Sequence, residues 1–236
     1  MNNAYRKISP KYMLLLFAST LLVSWLYYLI AKVVNPKPMK FVSYIIFTVI
    51  LAVIITGAYQ IFFWVQNNNY FFKTRCFKIG LDDKIPFYPI WIWPYSFFYY
   101  VMIGLVVARI SSLEEGVYLI FGGLLVLFFQ SLFFLVMPVT VPPEYRQYKG
   151  NTISKRYLRF VQGLDNGRNC FPSMHCSVAT YVGLLLVPVL GVYSYLFIGV
   201  IAISCLFVKQ HQILDIVPGI LLGWFVFTIS STIAGY

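Results

Sequence analysis

Four stretches of this chain carry no charged side chain at all: Tyr12 to Ala31, Phe41 to Val65, Ile85 to Ala108 and Gly116 to Pro143. A helix needs about 20 apolar residues to cross a hydrocarbon core of roughly 30 Å, and each stretch is that long. Backbone N–H and C=O groups have no water to bond there, so such segments are expected to be helical. A fifth apolar region, Asn169 to Val208, is interrupted only by His175, and a sixth, Gln212 to Tyr236, carries only Asp215. The fifth is long enough for a helical hairpin, with its break near Pro188 and Gly191. The expectation is an all-α, polytopic transmembrane bundle of seven spans.

Only 11% of the 236 residues are charged and 60% are hydrophobic; a soluble domain has roughly 25% charged residues, so that class is excluded. Arg6, Lys7 and Lys11 precede the first span as they would in a signal peptide. The span is too long for one and lacks a small-residue cleavage site, so a retained helix is expected. One membrane domain over 1–236 is expected, with 1–40 an extra N-terminal helix and connector and 41–236 the catalytic core. The net charge of +11 comes from short loops between spans, which argues for anionic lipid headgroups as partners and against nucleic acid. Nothing in the sequence sets an oligomeric state. Cys76, Cys170, Cys176 and Cys205 show no paired spacing for zinc and read as small buried side chains.

Alternating the spans puts the loops Gln66 to Lys84 and Glu144 to Arg168 on one face, together with the N-terminus and the break at Lys209 to His211. Fourteen of the eighteen basic residues fall there. The positive-inside tendency would make this face cytoplasmic, while an anionic substrate would draw the same charges, so sidedness stays open. Between Asp82 and Tyr100, Pro86, Pro89 and Pro94 oppose a regular helix, and Trp91 and Trp93 suit headgroup depth. That segment reads either as an aromatic belt or as a wall that recognises a lipid.

The chain has two histidines, each at the edge of an apolar run. If the intervening residues form a hairpin, the chain leaves the basic face at His175 and returns to it at His211, so the two imidazoles can meet. His211 and Asp215 are four apart, one turn along the helix that opens the last span. The carboxylate can accept one imidazole N–H, fix the tautomer and leave the other nitrogen free to attack. A structural pair capping the helix is the alternative. Ser173 follows Pro172 at an expected helix start, where it is either an N-cap alone or, with the backbone N–H groups, a place for an anion such as phosphate.

Phe-Pro-Ser-Met-His175 and His211-Gln-Ile-Leu-Asp215 resemble the Pro-Ser-x-His and His-x-x-x-Asp motifs of the superfamily of type 2 phosphatidic acid phosphatases and vanadium haloperoxidases. That superfamily also includes the sphingomyelin and inositol phosphorylceramide synthases. The resemblance covers mainly Pro138 to Gly219 and implies a six-helix membrane core. It also implies a phosphohistidine mechanism: His211 attacks phosphorus, Asp215 orients it, His175 protonates the leaving alkoxide and Ser173 helps hold the phosphate. The chain departs from the phosphatase pattern where Arg should follow Ser204, because Cys205 stands there. The Lys…Arg-Pro motif is also not legible around Val141-Pro-Pro-Glu-Tyr-Arg146. A transferring phosphoryl group needs neutralisation, for which Arg146, Arg168 and Lys209 are the candidates.

The resemblance implies a metal-independent lipid phosphate phosphatase with no cofactor. Two alternatives remain. One is a lipid phosphotransferase resembling the sphingolipid headgroup synthases, which share the missing Ser-Arg. The other is a lipid-binding protein with a degenerate site.

Overall fold

The computed structural model describes residues 10–165 and 167–235, so the expected placement of Arg6 and Lys7 on the basic face falls outside the described residues. The described residues are helical, without β-strands: α1 (Pro10–Val34), α2 (Phe41–Asn68), α3 (Gly80–Lys84), α4 (Tyr99–Arg109), α5 (Leu113–Val136), α6 (Ile153–Leu164), α7 (Met174–Leu190), α8 (Tyr193–Phe207) and α9 (Ile213–Ala234). Five helical segments are long and apolar enough to cross a membrane: Met13–Val34, Phe41–Asn68, Pro89–Arg109, Leu113–Val136 and Ile213–Ala234. The two shorter apolar helices, α7 and α8, form the expected hairpin. Pro188 lies in the last turn of α7, and Gly191 caps it at φ 54°, in the left-handed region that favours glycine.

One boundary moves. The run from Gly116 to Pro143 is helical only to Val136, because Met137 ends α5. The start, at Leu113, is specified locally: the Ser112 hydroxyl accepts the Glu115 N–H at 3.1 Å, and Glu114 and Glu115 place negative charge at the positive helix end.

The prolines of the Asp82–Tyr100 segment have the expected effect. Pro89–Trp91 forms a 3₁₀ turn and Pro94–Phe98 a π-helical turn before α4 begins. The aromatic side chains here are more than an interfacial belt. Trp93 stacks on Tyr157 at 5.0 Å and donates its indole N–H to the Ser154 hydroxyl at 3.0 Å. These contacts hold α6, which buries Ser154, Leu158 and Gln162 and exposes Ile153, Phe160 and Leu164 beside Arg156 and Arg159. A helix with one apolar exposed strip and flanking cations suits the bilayer interface.

Helix α7 is central, packed against α4, α5, α8 and α9. Gly219 and Gly223 let α9 approach it closely: a Cβ on Gly219 would lie 2.6 Å from the Ser173 carbonyl oxygen, and one on Gly223 would collide with that of Ser177. Small residues four apart serve this purpose where lipid gives helices no hydrophobic reason to associate. Buried polar side chains add direction. Gln130 of α5 donates to the Pro172 carbonyl and accepts from the Ser177 hydroxyl at 3.1 Å, which anchors the start of α7.

The two faces form as alternation requires. On one, Asn35 donates to the Arg109 carbonyl at 2.7 Å, joining the α1–α2 and α4–α5 connections. On the other, isolated bridges link Arg75 to Val139 and Val139 to Asn169. Three loops far apart in sequence are thereby joined beside the start of α7 and the turn before α9.

Candidate active site

A main-chain hydrogen bond joins the two motifs: the Ser173 N–H donates to the Asp215 carbonyl at 2.9 Å. The starts of α7 and α9 are therefore locked together, and His175 and His211 come to lie 6.0 Å apart between ring centroids, tilted by 63°. A tetrahedral group resting against the pair can touch both rings. His175 is itself held by Tyr95, stacked at 4.0 Å, and by the edge of Tyr99 at 5.8 Å.

The turn carrying His211 is shaped by Lys209, which has φ 57°, an uncommon value for a residue with a side chain. After it, the N–H groups of Gln210 and His211 both reach the Cys205 carbonyl, at 3.1 and 3.3 Å. The Nδ1 of His211 has two acceptors in range. The Cys170 carbonyl, at 3.0 Å, is the nearer, and Asp215 Oδ2 lies at 3.5 Å. Beside the expected Asp215 carboxylate stands a backbone carbonyl that the spacing does not reveal, and because a carbonyl can only accept, Nδ1 carries the proton. Burial opposes a charged His211 ring, but Asp215 more than offsets it and raises the pKa above the ordinary imidazole value. Asp215 is fully buried and also accepts the Gln212 N–H at 2.8 Å, so it caps α9 while it faces the histidine. The carboxylate thus has the cap position of the structural reading and the approach to His211 that the chemical reading needs.

A cavity of about 260 Å³ opens on the histidine pair. His175, His211, Asn169 and Gln210 line its polar end, and Tyr59, Phe62, Tyr95, Tyr99, Tyr100 and Phe160 are among its aromatic walls. A larger cavity of about 400 Å³ lies on the opposite face among Asn35, Arg109 and Glu115, without a histidine. Size therefore does not single out the candidate site; the convergent polar groups do.

The expected phosphate ligands are not brought to this cavity. Ser173 is fully buried, and its hydroxyl caps α7 by accepting the Cys176 N–H at 3.4 Å. Arg146 donates to the Asp165 and Gln162 carbonyls at 2.8 and 3.3 Å, filling the space above Gly167. Arg168 donates to the Asn69 carbonyl at 3.0 Å and lies over the Tyr70 ring. Lys209 donates to the Asp82 carbonyl at 2.7 Å and lies over Tyr145; burial lowers its pKa. All three have a common feature: each donates to a main-chain carbonyl that spacing along the chain does not reveal. Among the described residues, no group of three or more His, Cys, Asp or Glu side chains could hold a metal ion.

Sequence reasoning missed several supporting residues. Asp82 of α3 accepts the Ile213 N–H at 2.9 Å and so fixes the start of α9 from 131 residues away. Asn69 donates to Asn169 Oδ1 at 2.9 Å. A lone buried Asp and an Asn within an Asn-rich helix end carry no local signal that could have found them.

A family model described as the PAP2 superfamily matches residues 66–229, more than half of the chain. The chain belongs to the PAP2 superfamily. The match takes in both histidine motifs and every wall of the cavity except Tyr59, Phe62 and Phe63. It is an integral membrane protein, as the apolar helices require. Comparisons with curated proteins and with solved structures return no match.

Proposed function

We propose that this PAP2-superfamily protein is a metal-independent lipid phosphate phosphatase that works through a phosphohistidine on His211. The observation that carries the reading is the fixed Nδ1 of His211, bonded to Cys170 and facing Asp215. With that nitrogen occupied, Nε2 is the free nucleophile, in a cavity shared with His175.

In the first step the Nε2 lone pair forms the N–P bond while the bond from phosphorus to the lipid oxygen breaks. His175 gives its proton to the leaving alkoxide, and Asp215 stabilises the charge left on the His211 ring. In the second step water attacks phosphorus, His175 takes its proton, and the N–P bond breaks to release inorganic phosphate and restore His211. The aromatic walls suit an acyl or prenyl chain, with phosphatidic acid, phosphatidylglycerol phosphate or a polyprenyl pyrophosphate as substrates. An alcohol can replace water in the second step. The absence of Arg after Ser204 favours that transferase reading, because the headgroup synthases share it.

The test uses purified protein in detergent with radiolabelled lipid phosphates and a chelator, with and without acceptor alcohols. His211→Ala is expected to abolish inorganic phosphate release and the acid-labile protein label while leaving the protein folded. Full activity in that variant removes His211 as nucleophile. Label moving only into a second lipid assigns the transferase.

A further inference from the structure

The larger cavity, on the face opposite the histidines, has no part in the chemistry above. Its origin is a mismatch of helix lengths. Helix α7 has 17 residues and α8 has 15, so at roughly 1.5 Å per residue they span about 25 and 22 Å. The hydrocarbon core is roughly 30 Å thick, and α5, with 24 residues, reaches about 36 Å. The hairpin therefore stops short of the opposite surface, and its tip suits that depth. No charged residue occurs between His175 and Lys209, and Tyr193 and Tyr195 at the turn are exposed. Beside the end of α7, the ends of α4 and α9 and the start of α5 enclose a recess of about 400 Å³.

Two opposite charges line this recess without meeting. Arg109, at the end of α4, donates from one guanidinium nitrogen to the Leu185 carbonyl at 3.0 Å. Glu115, in the first turn of α5, accepts the Ser111 N–H at 2.8 Å through one oxygen. Among the described residues no ion pair joins the two. Pro188, also in the wall, has no N–H to offer the carbonyl of Leu184 one turn before it. Val106, Leu119 and Phe227 supply an apolar side. Charges at membrane depth are costly without partners, so a guanidinium and a carboxylate sharing one recess call for a ligand that carries both signs.

We infer that the recess binds a phospholipid of the leaflet on that face whose headgroup carries a primary ammonium, with Arg109 on its phosphate and Glu115 on its ammonium. The charge pattern selects the headgroup. Arg109 by itself would take the phosphate of any phospholipid, whereas Glu115 disfavours a headgroup that has no cation. The upper acyl chain lies along the apolar side, at the depth the short hairpin leaves vacant. The site sits at the ends of α7 and α9 remote from the histidines and does not depend on the function proposed for them.

The test counts bound lipid by native mass spectrometry on the full chain, delipidated in detergent. Lipids of one acyl composition are offered with an ethanolamine headgroup, with a glycerol headgroup, or as the diacylglycerol. The ethanolamine lipid is expected to bind about tenfold more tightly than either of the others, the size of one charge-assisted hydrogen bond. Arg109→Gln weakens both phospholipids by about tenfold. Glu115→Gln keeps an acceptor for the Ser111 N–H and removes the preference for ethanolamine over glycerol. Should Arg109→Gln fail to fold for want of its bond to Leu185, Ser231→Phe, which fills the recess from α9, replaces it and is expected to abolish retention of the ethanolamine lipid. A photoactivatable ethanolamine lipid separates this site from the histidine cavity and is expected to label residues 109–118. Label confined to the surroundings of His175 and His211 overturns the proposal. So does equal retention of ethanolamine and glycerol lipids by the wild type, or a preference that survives Glu115→Gln.

Discussion

Replacing Asp215 by asparagine removes one charge beside His211 and keeps one acceptor. The amide oxygen can still take the Gln212 N–H, now held at 2.8 Å, so the start of α9 is retained. What is lost is the attraction between the carboxylate and the imidazolium that develops as Nε2 attacks. At the observed 3.5 Å, unit charges attract by about 5 kcal/mol at an effective dielectric of about 20. With half to all of the ring charge developed in the transition state, kcat falls between about 50-fold and 3,000-fold. The pH profile moves as well. Attack requires an unprotonated Nε2, so wild-type activity rises with pH through a His211 pKa that lies above the ordinary value. The substitution removes the raising cause and leaves burial, which lowers it, so the acidic limb shifts to lower pH as the plateau drops. Single-turnover rates across pH on protein of verified melting temperature provide the assay. A plateau within threefold of wild type, or an acidic limb that stays in place, refutes this account of Asp215.

Three further outcomes are expected. Gly219→Ala forces α9 away from the Ser173 carbonyl, costing roughly 1–3 kcal/mol as overpacking does; a lower melting temperature in detergent and reduced activity should appear together. Lys209→Met removes the bond to the Asp82 carbonyl and should lower thermal stability while leaving KM for a lipid phosphate unchanged, whereas a large rise in KM would return Lys209 to the phosphate. Trp93→Phe deletes the indole bond to Ser154, worth about 0.5–1.5 kcal/mol, and should speed proteolysis around α6 before it affects global unfolding.

The membrane architecture was legible because hydrocarbon tolerates so few solutions. A charge-free run such as Phe41 to Val65 has to be a helix, and Pro188 with Gly191 has to break one. The candidate site was legible for a related reason: two histidines and Asp215 at membrane edges are costly to keep without partners. The surroundings of Arg146, Arg168 and Lys209 were not legible, since these residues were credible by position alone. Each instead meets a carbonyl brought near by loops that close over one another.

By itself, then, the sequence determined the helices, their alternation, and the histidines and carboxylate of the candidate site. Only the tertiary structure decided which atoms surround them. The Cys170 carbonyl that fixes His211, the Asp82 carboxylate that starts α9, and the Asn69 amide that turns Asn169 lie 41, 131 and 100 residues from their partners. Helix formation is local and follows from hydropathy. Donor and acceptor pairing across such distances depends on how α7 and α9 pack at Gly219 and Gly223, and it exists only once the chain has closed.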